Sequence, residues 1–442
     1  MVEPDPGRLP EHPGGALVSI ATHAGAAGPL TNVPRAMRFM DDAGLDAVIG
    51  CSQVNVYYLS GYRCWIEPLF QEWMLRPGGS NRLFQPSFAI LPREGRPSLV
   101  VSAGFAADAL AGWVDDLHVW GPLAYDDSLP GLPLEPRLQR VHEAQRSAAP
   151  DAVSALVAAL EGLGLADGAV GVDVEGIGAE ELERLRMALP HARFRDCTSL
   201  LRLVRAVKSD AEIAWLSRTA EINERCGIAA AASVRPGDSA ADLVQRFREL
   251  AASEGADVDH FSPSTGGVGI SSRTDHRFCA GEVFCLDYGC LLDGYFSDTG
   301  ITVALGEVAP PLRSRHAHLR DAILDVGLGA IRPGAAASSV HHAMTAFLTE
   351  RGILACFPHG HGIGLELRDY PILVSDTGLR LRDDCVDVPS DLPFEPGMVV
   401  NLEVSLFLPG VAGLQVETTA LVGEQGATQL VAQDRSQPLL VT

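Results

Sequence analysis

The sequence predicts two domains: a small α/β domain, then a larger α+β domain whose chemistry sits on paired antiparallel strands. Three observations predict this. The chain has 442 residues, 47% of them hydrophobic, enough to bury two cores. Helix-like and strand-like stretches alternate through about residue 200. Beyond that come two pairs of apolar runs, each run holding one acid, around turn signals.

Residues 1–30 are rich in Pro and Gly and read as a flexible arm. From Asn32 the pattern changes. VPRAMRFMDDAGL has a helical period, and LDAVIGCS reads as the strand that follows it. SQVNVYYLSGYRC, with its Asn-x-x-Tyr-Leu-x-Gly pattern, resembles a segment that ends a strand in the creatinase and prolidase N-terminal domain; by itself it reads as strand and turn. WIEPLFQEWMLRPGGSNRLF carries Trp65, Phe70, Trp73 and Phe84 in an expected loop. SFAILP and SLVVSA are further strands, and PLAYDDSLPGLPLEPRLQRV is a Pro-rich irregular excursion. APDAVSALVAALEGLGL is an amphipathic helix ending in glycine, and AVGVDVEGI is a strand. The turn EGIGAEEL lacks GxGxxG spacing, so no nucleotide site is expected there.

The expected boundaries are 31–203 for the first domain and 204–442 for the second. The junction is LLRLVRAVKSDAEIAWLSRTAEI. Ser209 can cap the next helix, with Glu212 reaching back to complete a capping box. That helix should run to about Ser233, before Arg235-Pro236-Gly237. Others are expected from Asp238 to Gly255, from roughly Pro311 to Ile331 and from Ala336 to Arg351.

The stretch from Phe284 to Glu417 holds the chemistry. Asp287 lies in VFCLDY, and Asp298 lies in the run from Gly294 to Leu305. The Asp293-Gly294 pair between them signals a hairpin. Glu403 in VVNLEVSLFL and Glu417 in LQVETTALV repeat the arrangement around Pro409-Gly410. His361 sits in FPHGHGIGLELRDYP. Any one of these residues alone is a weak signal, but the joint order is specific. A buried carboxylate is costly unless paired, hydrogen-bonded or metal-bound. Four cannot all pair with one histidine, whereas two divalent cations balance four negative ligands. Oxygen and imidazole donors without thiolate suit Mn, Co, Fe or Zn.

Composition removes other classes. Lys and Arg total 34 against 56 Asp and Glu, a net charge of −22, which argues against nucleic acid and anionic membranes as partners. No apolar run approaches a membrane span. The opening MVEPDPGRLPEHPGG lacks the basic-then-apolar order of a signal peptide. Nine scattered cysteines with no CxxC pair suit buried free thiols in a reducing cytoplasm.

At Asp287-Tyr288-Gly289, Asp298, His361, Glu403 after Pro396-Gly397-Met398, and Glu417, the chain resembles metallopeptidase family M24. That family includes methionine aminopeptidase, prolidase, aminopeptidase P and creatinase. The resemblance implies a creatinase-like N-terminal domain and a pita-bread catalytic domain. It implies two divalent metals, with Asp298 and Glu417 bridging them, Asp287 on one, and His361 with Glu403 on the other. Glu403 would shuttle a proton. It also implies a homodimer in which the segment holding Trp65 and Trp73 borders the partner's pocket.

Two departures from the peptidases stand out. Their histidine ahead of the first Asp ligand falls where this chain reads Gly269-Ile270-Ser271, with His276 nearby. Their Gly-Leu-x-x-His-Glu ending reads here Gly364-Leu365-Glu366-Leu367-Arg368-Asp369. Arginine cannot carry protons near neutral pH, but it binds carboxylates in a fork. Arg368, Asp369, His276 and His359 are therefore candidate substrate residues. The leading expectation is a dinuclear hydrolase cleaving an amide- or amidine-like C–N bond of a small carboxylate-bearing substrate. The alternatives are an Xaa-Pro dipeptidase or aminopeptidase, a lyase of the dimethylsulfoniopropionate-lyase type, and a non-catalytic interaction module.

Overall fold

The computed structural model describes residues 29–64, 85–126, 128, 131, 133–270, 273–432 and 434–441. Trp65, Trp73 and most of the expected arm lie outside these residues. Packed structure has begun by Leu30, which is buried in the first core and whose carbonyl accepts from Ser209 Oγ.

The first sheet contains β1 (Ala47–Gly50), β2 (Phe88–Pro92), β3 (Ser98–Ser102), β4 (Asp116–Trp120), β5 (Ala169–Val172) and β6 (Arg193–Asp196). Their order is β4-β3-β2-β1-β5-β6. Only the two pairings of β2 are antiparallel. The strands β1, β2, β3 and β5 are buried on both faces, as the near-continuous aliphatic runs require.

Two local readings need correction. SQVNVYYLSGYRC is not strand: Gln53–Ser60 is a helix. Its start is fixed by Asp173, a buried acid distant in sequence, which receives Ser52 N, Ser52 Oγ and Asn55 Nδ2 at 2.9, 2.6 and 2.7 Å. The Pro-rich excursion also ends sooner than expected. A helix begins at Pro136, where the fixed φ of proline suits a first turn, and Glu135 caps it.

The second sheet is built from β7 (Asp257–Ser264), β8 (Val283–Leu292), β9 (Tyr295–Phe296), β10 (Thr299–Ala304), β11 (His359–Gly362), β12 (Asp369–Leu373), β15 (Val399–Leu408), β16 (Ala412–Gly423), β17 (Gly426–Gln429) and β18 (Leu439–Leu440). A small separate ladder joins β13 (Arg380–Arg382) to β14 (Asp387–Pro389). The main path is β12-β11-β15-β16-β8-β10-β18, with β7 and β9 beside β8 and β17 beside β16.

Helices cover the sheet. Asp210–Ser233 and Ala240–Ser253 pack Ile222, Leu243 and Phe247 against Phe284, Leu286 and Ile301. Pro310–Asp321, continuing through a wider turn at Ala322–Gly327, and Ala337–Glu350 pack Ile323, Val340 and Met344 against Leu402, Val404 and Val416. The capping box of Ser209 and Glu212 is present, and its helix ends at Ser233 as expected.

The two sheets share a core. Met40 and Tyr58 pack in one cluster with Tyr295, Ile363 and Val399. Arg35 grips Glu395 through two bonds of 2.7 and 2.8 Å, and Arg205 reaches both Asn55 and Glu366. Among the described residues, no helix is long and apolar enough to cross a membrane. The nine cysteines are free.

Candidate metal centre

The strand register aligns the expected ligands. Glu403 on β15 lies directly opposite Glu417 on β16 and opposite His359 on β11. His361, two residues on from His359, shares its face of β11. Asp287 on β8 is one strand away from β16, and Asp298 stands just before β10, returned by the hairpin at Asp293 and Gly294. Both turn residues take positive φ, 51° and 86°, as an Asp-Gly hairpin turn needs.

Side chains converge on one point from these strands. His361 Nε2 lies 3.5 Å from Asp298 Oδ2 and 3.9 Å from Glu403 Oε1. Its Nδ1 lies 2.9 Å from the Gly362 carbonyl, so Nδ1 donates and the Nε2 lone pair faces the carboxylates. Glu417 is almost fully buried. Asn401 Nδ2 and Gln415 Nε2 donate to its two oxygens at 2.8 and 3.0 Å. A ligating carboxylate is oriented by outer donors in this way.

The electrostatics register a deficit of positive charge. Burial pushes the Glu417 carboxyl well above its usual range, and the charges of Asp298, Glu403 and Asp287 push further. Burial also raises Asp287, with His260 opposing the rise. Asp298 is also buried, but bonds from His260 and His361 hold it below the usual carboxylate range. Four crowded acids with a correctly turned imidazole therefore fit two divalent cations, which would remove the like-charge penalty.

The remaining expected residues divide. Arg368 lines the cavity over the acids, its guanidinium 3.8 Å from Glu403 Oε1 and its side chain 56% exposed. His359 lines the same cavity, with Nε2 2.8 Å from Glu403 Oε1. Burial lowers the His359 imidazole, but the adjacent Glu403 outweighs it and its pKa stands above the usual value.

Asp369 is not a cavity residue. It is buried beneath the site, accepting from Tyr370 N at 2.9 Å, with Lys208 Nζ 3.9 Å and Arg205 Nε 3.8 Å away. Its charge is spent on the domain junction, which corrects the substrate role expected for it. His276 is also turned away: its Nε2 lies 2.8 Å from Glu282 Oε1, and it does not line the cavity. From the stretch Gly269-Ile270-Ser271, Ile270 lines the cavity.

One residue was missed. His260 on β7 reaches the acids, Nε2 lying 3.2 Å from Asp287 Oδ1 and 3.3 Å from Asp298 Oδ1. Asp259 holds its Nδ1 at 2.7 Å. Burial disfavours the charged ring, yet these three acids push its pKa up to about 12. The adjacent Asp-His pair in DVDHFSPS was the available signal, but only the pairing of β7 with β8 gives it meaning.

The cavity holds about 1110 Å³ and is walled on its apolar side by Ile270, Leu354, Phe357, Leu367 and Phe407.

Comparison with known proteins follows the same two parts. The family model for metallopeptidase family M24 matches residues 214–424, and that for the creatinase/prolidase N-terminal domain matches residues 33–207. An Xaa-Pro dipeptidase of Pyrococcus horikoshii is 22% identical over 419 residues, which cover 91% of this chain and 97% of that one. Among solved structures, the X-Pro aminopeptidase of Thermotoga maritima has a TM-score of 0.68 at 18% identity, covering 91% of this chain and 100% of that one. The dipeptidase PepE of Mycobacterium ulcerans has a TM-score of 0.65 at 22% identity, covering 92% and 96%.

Proposed function

Because the chain belongs to metallopeptidase family M24, with a creatinase/prolidase N-terminal domain before the pita-bread domain, we propose that it hydrolyses a C–N bond in a small substrate bearing a free carboxylate. Metal-dependent hydrolysis of C–N bonds is common to that family. The dinuclear centre, the identity of its ions and the substrate class are the proposal. The observation that carries the substrate reading is Arg368: its fork overhangs the acids and makes no hydrogen bond among the described residues.

Asp287, Asp298, His361, Glu403 and Glu417 would hold the two ions. Bound ions would supply a water of lowered pKa and polarise the bond under attack. The chain's own residues do the rest. Arg368 fixes the substrate carboxylate through paired charge-assisted bonds. The apolar wall of Ile270, Phe357 and Phe407 takes the substrate's apolar part and excludes water. Glu403 Oε1, bonded to His359 Nε2, can accept a proton and pass it to the departing nitrogen.

A second reading is supported by the Pyrococcus relative, an Xaa-Pro dipeptidase, and by the size of the cavity. A dipeptide also carries a free carboxylate for Arg368. What favours a different substrate is the stretch Gly269-Ile270-Ser271 and Arg368 where two peptidase histidines are expected. Turnover of a panel separates the readings: Xaa-Pro dipeptides, N-acyl amino acids and guanidino acids. The proposal expects poor turnover of Xaa-Pro dipeptides. It also expects Arg368→Lys to weaken substrate binding about ten- to a hundredfold, since a point charge cannot replace the fork, with metal content unchanged. Ordinary cleavage of Xaa-Pro dipeptides, unaffected by Arg368→Lys, would show the chain to be a peptidase.

A further inference from the structure

We infer that His260 is a sixth protein ligand of the centre, so that each of its two ions takes one imidazole. The inference rests on the reading of this cluster as dinuclear.

The geometry around Asp298 carries it. The two oxygens of Asp298 face different histidines: Oδ2 lies 3.5 Å from His361 Nε2, and Oδ1 lies 3.3 Å from His260 Nε2. On the His260 side, Asp287 Oδ1 completes the group at 3.2 Å from the same nitrogen. The donor atoms of His260, Asp287 and Asp298 all lie within 4.8 Å of one another, close enough to surround one ion.

The backbone is shaped for this. Between β7 and β8 the register shifts, so that Val258 pairs with Cys290 and His260 with Gly289, leaving Asp259 as an extra residue. Such a bulge re-aims side chains. Here it turns both Asp259 and His260 into the cavity. His260 then lies opposite Gly289, on the face that Asp287 shares. A Cβ at Gly289 would stand 2.6 Å from His260 Cε1, so only glycine leaves room for the ring.

Asp259 supplies the outer partner a ligating histidine needs. Its Oδ2 lies 2.7 Å from His260 Nδ1. Once an ion takes the Nε2 lone pair, Nδ1–H donates to Asp259, as a carboxylate–histidine–metal relay requires. Asp259 is thus a positioning residue. A ring that merely neutralised the two acids would be displaced by the ion; one held from behind by Asp259 stays and ligates. Two imidazoles across the pair also shift its preference from Mn toward Co and Zn.

The test is X-ray absorption on Co- or Zn-loaded protein, with metal per chain measured in parallel. The expected result is two imidazoles shared by two ions in the wild type and one in His260→Ala. His260→Ala should also weaken one of the two ions far more than the other in a binding titration. Asp259→Asn should weaken the same ion about ten- to a hundredfold. Two bound ions with a single imidazole in the wild type would overturn the His260 assignment and leave the dinuclear centre standing. Failure to bind metal at all would overturn both. The wild-type count needs no variant to fold.

Discussion

Asp298 is the residue on which both halves of the site depend. One of its oxygens faces His260 and the other faces His361, so on the proposed dinuclear reading its loss would remove a donor from each ion at once. Asp298→Ala should reduce bound metal from about two ions per chain to fewer than one and abolish turnover; elemental analysis of the purified variant checks it. The residues that could be read from sequence were those whose type is expensive to bury. Asp287, Asp298, Glu403 and Glu417 sit in aliphatic runs, and an acid there demands a reason. Asp369 misled because its neighbours in sequence do not reveal its partners. Arg205 and Lys208, more than 150 positions earlier, neutralise it beneath the site. His260 escaped because nothing in the chain order announces a bulge.

At the scale of elements, the pairing of β15 with β16 sets the ligand geometry. It could be read because alternation around Pro409-Gly410 fixes which residues share a face, and Glu403 does oppose Glu417. The helix Gln53–Ser60 could not be read, since the acid that anchors its start comes from residue 173. The helix Asp210–Ser233 was legible from its capping box, and that box yields a pH prediction. Burial raises the Glu212 carboxyl, with Lys208 opposing, to about 7. A pKa raised above the unfolded value means the folded state binds the extra proton. This contribution to stability is therefore whole below about pH 4.5 and is lost as pH rises through 7. Melting of metal-loaded wild type should fall across that window more steeply than that of Glu212→Gln. Parallel pH profiles would exclude Glu212 as the source.

At the scale of the molecule, two sheets share one core, and buried arginines pair with half-exposed acids across it, so the N-terminal domain is fixed against the catalytic one. Arg35 and Arg205 span that junction to Glu395 and Glu366. This side-chain closure was not legible, because its arginines and acids lie far apart in the chain. The segment holding Trp65 and Trp73 lies outside the described residues, and its expected role is a matter of assembly. If it borders the cavity of a second copy, active protein should sediment as a dimer. A fully active monomer in the centrifuge would contradict that arrangement. On the proposed function, the crowded acids at the sheet's centre hold two ions. The most direct measurement strips the protein with chelator, then follows activity and bound metal together as Mn, Co or Zn is returned. The expected result is no turnover in the stripped protein, with recovery complete at two ions per chain. Full turnover by rigorously metal-free protein would contradict it.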